Sequence, residues 1–206
     1  MKHDPVDLLP VLYEAPTDPE QWHVFLEDLR GQIKAGVACL LGRDEKAENL
    51  TLVVQSGADP EAQQQYEAYY YTIDAFYAYA EQRGFNRPGC IVPAQAFVSD
   101  SELRRTEFCN DFMLKFGMFN QCFALFGKGE RAQSNLSLIR SAREQPFGEP
   151  ELRVLRFLAQ HIHRWVTVAY WVWAGIEIAR FAAGKRRPKA FQLFGVMWKR
   201  HVRPVR

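Results

Sequence analysis

The sequence predicts an α+β fold, an antiparallel sheet with helices packed against it, and three observations carry that prediction. The elements run α-α-β-β-α-α-β-β-α, without the β-α alternation that builds a parallel sheet. Two pairs of apolar runs, Val37–Leu41 with Leu50–Gln55 and residues 118–126 with 131–140, have short polar connections and read as antiparallel hairpins. The segments around them carry apolar residues at helical spacing behind recognisable N-caps.

At the start of the chain, Asp4 and Pro5 open a short helix that carries Leu8, Leu9, Leu12 and Tyr13. Asp18 followed by Pro19 is an N-cap with proline at the first helical position. Behind it, Trp22, Phe25, Leu26, Leu29 and Ile33 form an apolar stripe that ends near Gly36. Asp59-Pro60 repeats the cap logic. The spacing predicts one helix from there to Arg83-Gly84, with Tyr66, Tyr69, Tyr70, Ile73, Tyr77 and Ala80 on one face. Pro88, Gly89 and Pro93 make residues 85–98 a loop with a short strand at Cys90–Val92.

Residues 99–117 read as the helix around which the rest is arranged. Ser99 and Glu102 have the spacing of a capping box, Gly117 sits where a helix closes in a left-handed turn, and Leu103, Phe108, Phe112 and Phe116 offer a face to a sheet. A hairpin turn at Gly127-Lys128-Gly129-Glu130 follows. The last amphipathic helix, near 148–166, presents Leu152, Leu155, Leu158, Ile162 and Trp165, and its first-turn Glu149 and Glu151 favour the helix dipole.

A chain of 206 residues, 48% hydrophobic and 24% charged, has the composition of a globular domain rather than a disordered one. Its net charge of +2 conceals an asymmetry. Residues 166–206 hold nine Lys and Arg against Glu177, which makes them +8 and the preceding 165 residues −6. We expect a domain over 1–165 and an aromatic, basic extension over 166–206. Lys185-Arg186-Arg187-Pro188-Lys189 suits phosphate contact, Val166–Ala183 suits a membrane interface without spanning it, and a tail without a selected role is the third reading. The four cysteines, Cys39, Cys90, Cys109 and Cys122, are scattered, and Met1–Pro5 does not lead into a signal peptide. Both point to a reducing cytoplasm.

Enzyme templates find no match: there is no nucleophile elbow, phosphate loop, dinucleotide fingerprint or H-E-x-x-H. His161 and His163 diverge on a helix and do not converge on one metal. Glu107 and Asp111 share a helical face, with Arg104 within reach of one of them, and read as solvated charge.

The run Asp100-x-Glu102-Leu103-Arg104-Arg105-Thr106-Glu107-Phe108-x-Asn110-Asp111-Phe112, with Gly117 and a hairpin after it, resembles the N-terminal sensor region of bacterial LuxR-type transcriptional regulators. So does Pro146-Phe147-Gly148-Glu149-x-Glu151-Leu152. The resemblance covers roughly residues 5–165. It implies a PAS- or GAF-like sensor domain, non-catalytic and without a cofactor, that binds a small apolar or amphipathic ligand, pairs as a homodimer and reaches DNA only indirectly or through a full-length partner.

Tyr70-x-x-x-Asp74 resembles the Tyr-x-x-x-Asp-Pro segment of acyl-homoserine-lactone sensors, whose aspartate accepts a hydrogen bond from the ligand amide. Here Ala75 stands in place of the proline, and Glu61 and Ala62 lie where a tryptophan is expected. The candidate ligand-binding residues are therefore Tyr66, Tyr69, Tyr70, Asp74 and Tyr77, rings with polar tips around one acceptor. The competing reading makes the same stripe a packing face, and the domain a ligand-free dimerisation module. A helix-turn-helix output unit needs about 60 residues, and 41 follow residue 165. The expectation is a truncated or frame-altered regulator.

Overall fold

The computed structural model of the chain describes residues 4–15, 18, 20–44, 49–128 and 132–162. The basic extension, its boundary at 165, Trp165 and His163 lie outside these residues, as do the connections 45–48 and 129–131.

The sheet has five strands: β1 (Val37–Asp44), β2 (Asn49–Ser56), β3 (Ile91–Pro93), β4 (Asn120–Lys128) and β5 (Ala132–Arg140), in the order β2-β1-β5-β4-β3. Every pairing is antiparallel. The central strand pair joins the two hairpins, with Leu40 opposite Leu136 and Cys39 opposite Ser137.

Strand alternation sorts the side chains into two cores. Ala38, Leu40, Cys122, Ala124, Leu136 and Leu138 point to one face. There they meet α1 (Leu9–Glu14), α2 (Gln21–Ile33) and the last helix, α6, at 149–162. Leu26, Leu29 and Leu158 are fully buried at this face. Each contributes about 1.5–3 kcal/mol of apolar transfer. On the other face Val37, Phe123, Leu125 and Ile139 meet Ala62 of α3 (Pro60–Ala68), Phe76 of α4 (Ala75–Gln82), Leu103 of α5 (Asp100–Leu103) and the π-helix Phe108–Met113. The helices thus cover both faces of the sheet.

Three local readings change. The stretch expected as one helix from 60 to 84 is broken. Asp59 caps α3 through Glu61 N at 2.7 Å, but the bulky run Tyr69-Tyr70-Tyr71-Thr72-Ile73 leaves the α conformation for a 3-10 turn at Tyr70–Thr72, and Asp74 begins a new helix. Asp74 competes with helix continuation because its short side chain bonds the backbone directly.

The 99–117 helix is broken as well. Its capping box forms, with Glu102 N donating to Ser99 Oγ at 3.3 Å and Ser99 N to Glu102 Oε2 at 2.9 Å. After Leu103, however, Thr106 Oγ1 donates to Leu103 O at 2.7 Å and accepts from Cys109 N at 3.1 Å, which starts the π-helix. Gly117 does take the left-handed conformation, with φ 70.

Helix α2, finally, runs from Gln21 to Ile33, with Glu20 rather than the expected Asp18 at its N-cap and Lys34, at φ 55, as its C-cap short of Gly36. Its last carbonyls are satisfied from outside. Arg140, 8% exposed, donates to Ile33 O, to Lys34 O at 3.1 Å and to Glu151 Oε1 at 3.0 Å, and lies 4.2 Å over the Phe147 ring.

Candidate functional site

Between the second sheet face and its helices lies a chamber with two lobes. The larger, about 80 Å³, is bounded by Cys39 and Ile139 of the sheet, Ala62 of α3, and Phe108, Phe112 and Met113 of the π-helix. The smaller, about 50 Å³, lies toward Phe76, Tyr77 and Ala80 of α4, with Asn86, Phe123 and Asn135 around it. Leu41, Tyr66, Asp74, Gln121 and Ser137 line both.

Each sequence-derived candidate has a definite place. Tyr66, from the last turns of α3, donates its hydroxyl to Asp74 Oδ2 at 2.9 Å. Its ring sits 5.8 Å from Phe112 and 6.5 Å from Phe108. Asp74 uses Oδ1 to accept from Phe76 N at 2.9 Å and Tyr77 N at 3.2 Å, so one carboxylate caps α4 and ties it to α3. Tyr77 borders the smaller lobe. Tyr70 stacks on Phe112 at 4.8 Å and is absent from the lining of both lobes, so it backs the wall rather than facing the space. Tyr69 is 46% exposed, edge-on to Tyr70, and the hydrogen bond to Glu107 raises its hydroxyl pKa. The structure brings Tyr66, Asp74 and Tyr77 together and leaves Tyr69 outside. The acid pair is exposed too, and Arg104 turns from it to the Phe119 ring, 4.3 Å away.

Several residues at the site were not singled out from the sequence. The sheet floor is polar where an ordinary core would be apolar: Gln121 Nε2 donates to Ser137 Oγ at 3.1 Å, and Asn135 lies two positions along the same strand. The alternation Asn135, Ser137, Ile139 on β5 and Gln121, Phe123, Leu125 on β4 was a readable signal. What could not be read was which face the helices would cover with rings. Burial pushes the Cys39 thiol up to about 12, and the charge of Asp74 adds to this. A thiol so held stays protonated at neutral pH and is no nucleophile. No group of His, Cys, Asp and Glu among the described residues is placed to hold a metal ion.

An antiparallel five-stranded sheet with helices on both faces is a GAF-like fold. It is similar to the ligand-binding domains of LuxR-type regulators. The VqsR ligand-binding domain from Pseudomonas aeruginosa superposes with a TM-score of 0.59 at 14% identity, over 79% of this chain and 94% of that one. CepR2 from Burkholderia cenocepacia, an N-acylhomoserine-lactone-dependent LuxR family transcription factor, gives 0.54 at 15% identity, over 79% and 93%. Escherichia coli SdiA gives 0.55 at 16% identity, over 82% of this chain and 68% of that one, and SdiA in complex with octanoyl-rac-glycerol gives 0.56. A GAF domain from an Acinetobacter phosphotransferase is similar at 0.50. At such identities the likeness is one of fold. No protein-family model matches the sequence, and no curated protein sequence matches it significantly.

Proposed function

We propose that this chain is the small-molecule-sensing part of a LuxR-type transcriptional regulator, a non-catalytic cytoplasmic domain that signals by binding an apolar or amphipathic ligand. One observation carries the reading. The chamber lies between two independently formed structures, the sheet and the α3–α4–π-helix layer, and a single hydrogen-bonded pair, Tyr66–Asp74, stands where its lobes meet. A ligand filling that space contacts both layers at once. It thereby favours whichever arrangement of the helices best encloses it, which is the physical requirement for a sensor.

The fold's likeness to CepR2 and SdiA supports the reading, since the one depends on an N-acylhomoserine lactone and the other has been seen with a monoacylglycerol. Through a homodimer, or by pairing with a full-length regulator, such a bias would be passed to DNA.

The test is thermal denaturation of the full chain against a panel of acyl-homoserine lactones, monoacylglycerols and small aromatic alcohols, joined to native mass spectrometry of freshly purified protein. A ligand at a hundred times its Kd stabilises by about 2.7 kcal/mol. For a domain of this size that raises the midpoint by about 5–10 °C. A panel without effect, with no co-purifying metabolite, would overturn the proposal.

A further inference from the structure

From the volume of the chamber and an orphaned polar atom in its floor, we infer the class of ligand it takes: a compact, single-ring-sized molecule whose polar end donates a hydrogen bond to Asn135. This rests on the sensing role proposed above. Two observations independent of the Tyr66–Asp74 pair carry it.

The first is size. The lobes are about 80 and 50 Å³. Taken together they approach the cavity of about 150 Å³ that takes up benzene in a protein interior. A ring with a short substituent matches that space.

The second is chemistry. The polar side chains of the floor satisfy one another, Gln121 on Ser137, and Cys39 Sγ on Ser137 O at 3.8 Å. Asn135 is the exception: its Oδ1 is buried and has no hydrogen-bond partner among the described residues. Buried side-chain acceptors in folded proteins nearly always have a donor. Asn135 borders the smaller lobe together with Phe123 and Tyr77, while the larger lobe is walled by Phe112, Met113 and Ile139. The ligand therefore lies with its ring against the π-helix and its donor over β5. Asn135, not the capping Asp74, then decides between a hydroxylated ring and a plain hydrocarbon of equal size.

The experiment uses benzyl alcohol and ethylbenzene, which match in heavy-atom count and differ by one hydroxyl, with an octanoyl-homoserine lactone as the long-chain probe. Affinities are measured for the full chain and for Asn135→Leu, a near-isosteric change. We expect the leucine to weaken benzyl alcohol on the order of tenfold, the worth of one hydrogen bond to a buried acceptor, and to leave ethylbenzene within about twofold. On the unaltered protein, benzyl alcohol should shift the Asn135 carboxamide resonances in a 15N spectrum and ethylbenzene should not. This readout remains if the variant does not fold. Equal loss of both ring compounds, or an unmoved carboxamide, overturns the inference. Binding of the lactone alone overturns it and leaves the sensing role standing. Binding of none of the three overturns both.

Discussion

Replacing Asp74 tests the hinge of the site most sharply, because one carboxylate performs two separable tasks. Asp74→Ala removes the N-cap of α4, worth about 1 kcal/mol, and a hydroxyl-to-carboxylate hydrogen bond from Tyr66, worth about 1.5–3 kcal/mol. The combined loss is about 3 kcal/mol, which in a domain of 150–250 residues lowers the melting midpoint by about 6–12 °C. Asp74→Asn keeps one acceptor for the cap but sets an amide N–H where the Tyr66 hydroxyl donated, so that hydroxyl must turn from donor to acceptor and the midpoint should fall by about 2–4 °C. Tyr66→Phe should cost little beyond what Asp74→Asn already costs when the two are combined, since they act on one bond. Differential scanning calorimetry of the four proteins makes the comparison. An alanine variant within about 1 °C of the parent, or an asparagine variant as damaged as the alanine one, would refute the claim that this carboxylate ties α3 to α4.

Other outcomes follow from the same geometry. Arg140→Met leaves the Ile33 and Lys34 carbonyls and Glu151 without their buried cation. It should cost about 3–5 kcal/mol in urea denaturation. Lys34→Gly relieves a left-handed residue at the end of α2 and should stabilise by about 0.5–1 kcal/mol in the same assay. Thr106→Val removes both hydrogen bonds that start the π-helix and should destabilise by about 1–2 kcal/mol. Acid should weaken the fold. Arg83 and then Ser99 hold the Glu102 carboxyl at about 2, and Arg30 with Ser56, and the Ser141 amide and hydroxyl, hold Glu27 and Glu144 below their ordinary values. A carboxyl depressed in the folded state contributes stability above its unfolded pKa and loses it as pH falls toward the folded one. The midpoint should therefore be level near neutrality and drop between about pH 4.5 and about pH 2.

What the sequence revealed, and what it concealed, divides along a physical line. Features whose cause is local were legible: the Ser99–Glu102 capping box, the Asp59-Pro60 cap and the two hairpins. The two long helices that proved to be broken mark the limit. Periodicity extends through Tyr69–Ile73 and through Arg104–Glu107. Spacing alone does not show that Thr106 and Asp74 turn their side chains onto the backbone and restart the helix. That restart is also what makes Asp74 a wall of the chamber, so the residue was legible as a candidate while its capping role was not. Tyr69 and Tyr70 were drawn in by the same unbroken periodicity, and the break leaves Tyr69 exposed and Tyr70 stacked on Phe112 behind the chamber wall. Asn135 was hidden for another reason. Its strand alternates normally, and only the packed helices opposite decide that its amide oxygen is buried.

A small molecule that enters the chamber between the sheet and the helical layer meets methionine side chains, which report on it directly. Of the four in the chain, Met113 and Met118 line the larger lobe and are 1% and 7% exposed. The protein labelled with 13C at its methionine methyls should, on titration with benzyl alcohol or an octanoyl-homoserine lactone, show saturable shifts at Met113 and Met118. Methyl signals of Met113 and Met118 that stay in place at saturating concentrations of both compounds would show that the chamber takes neither.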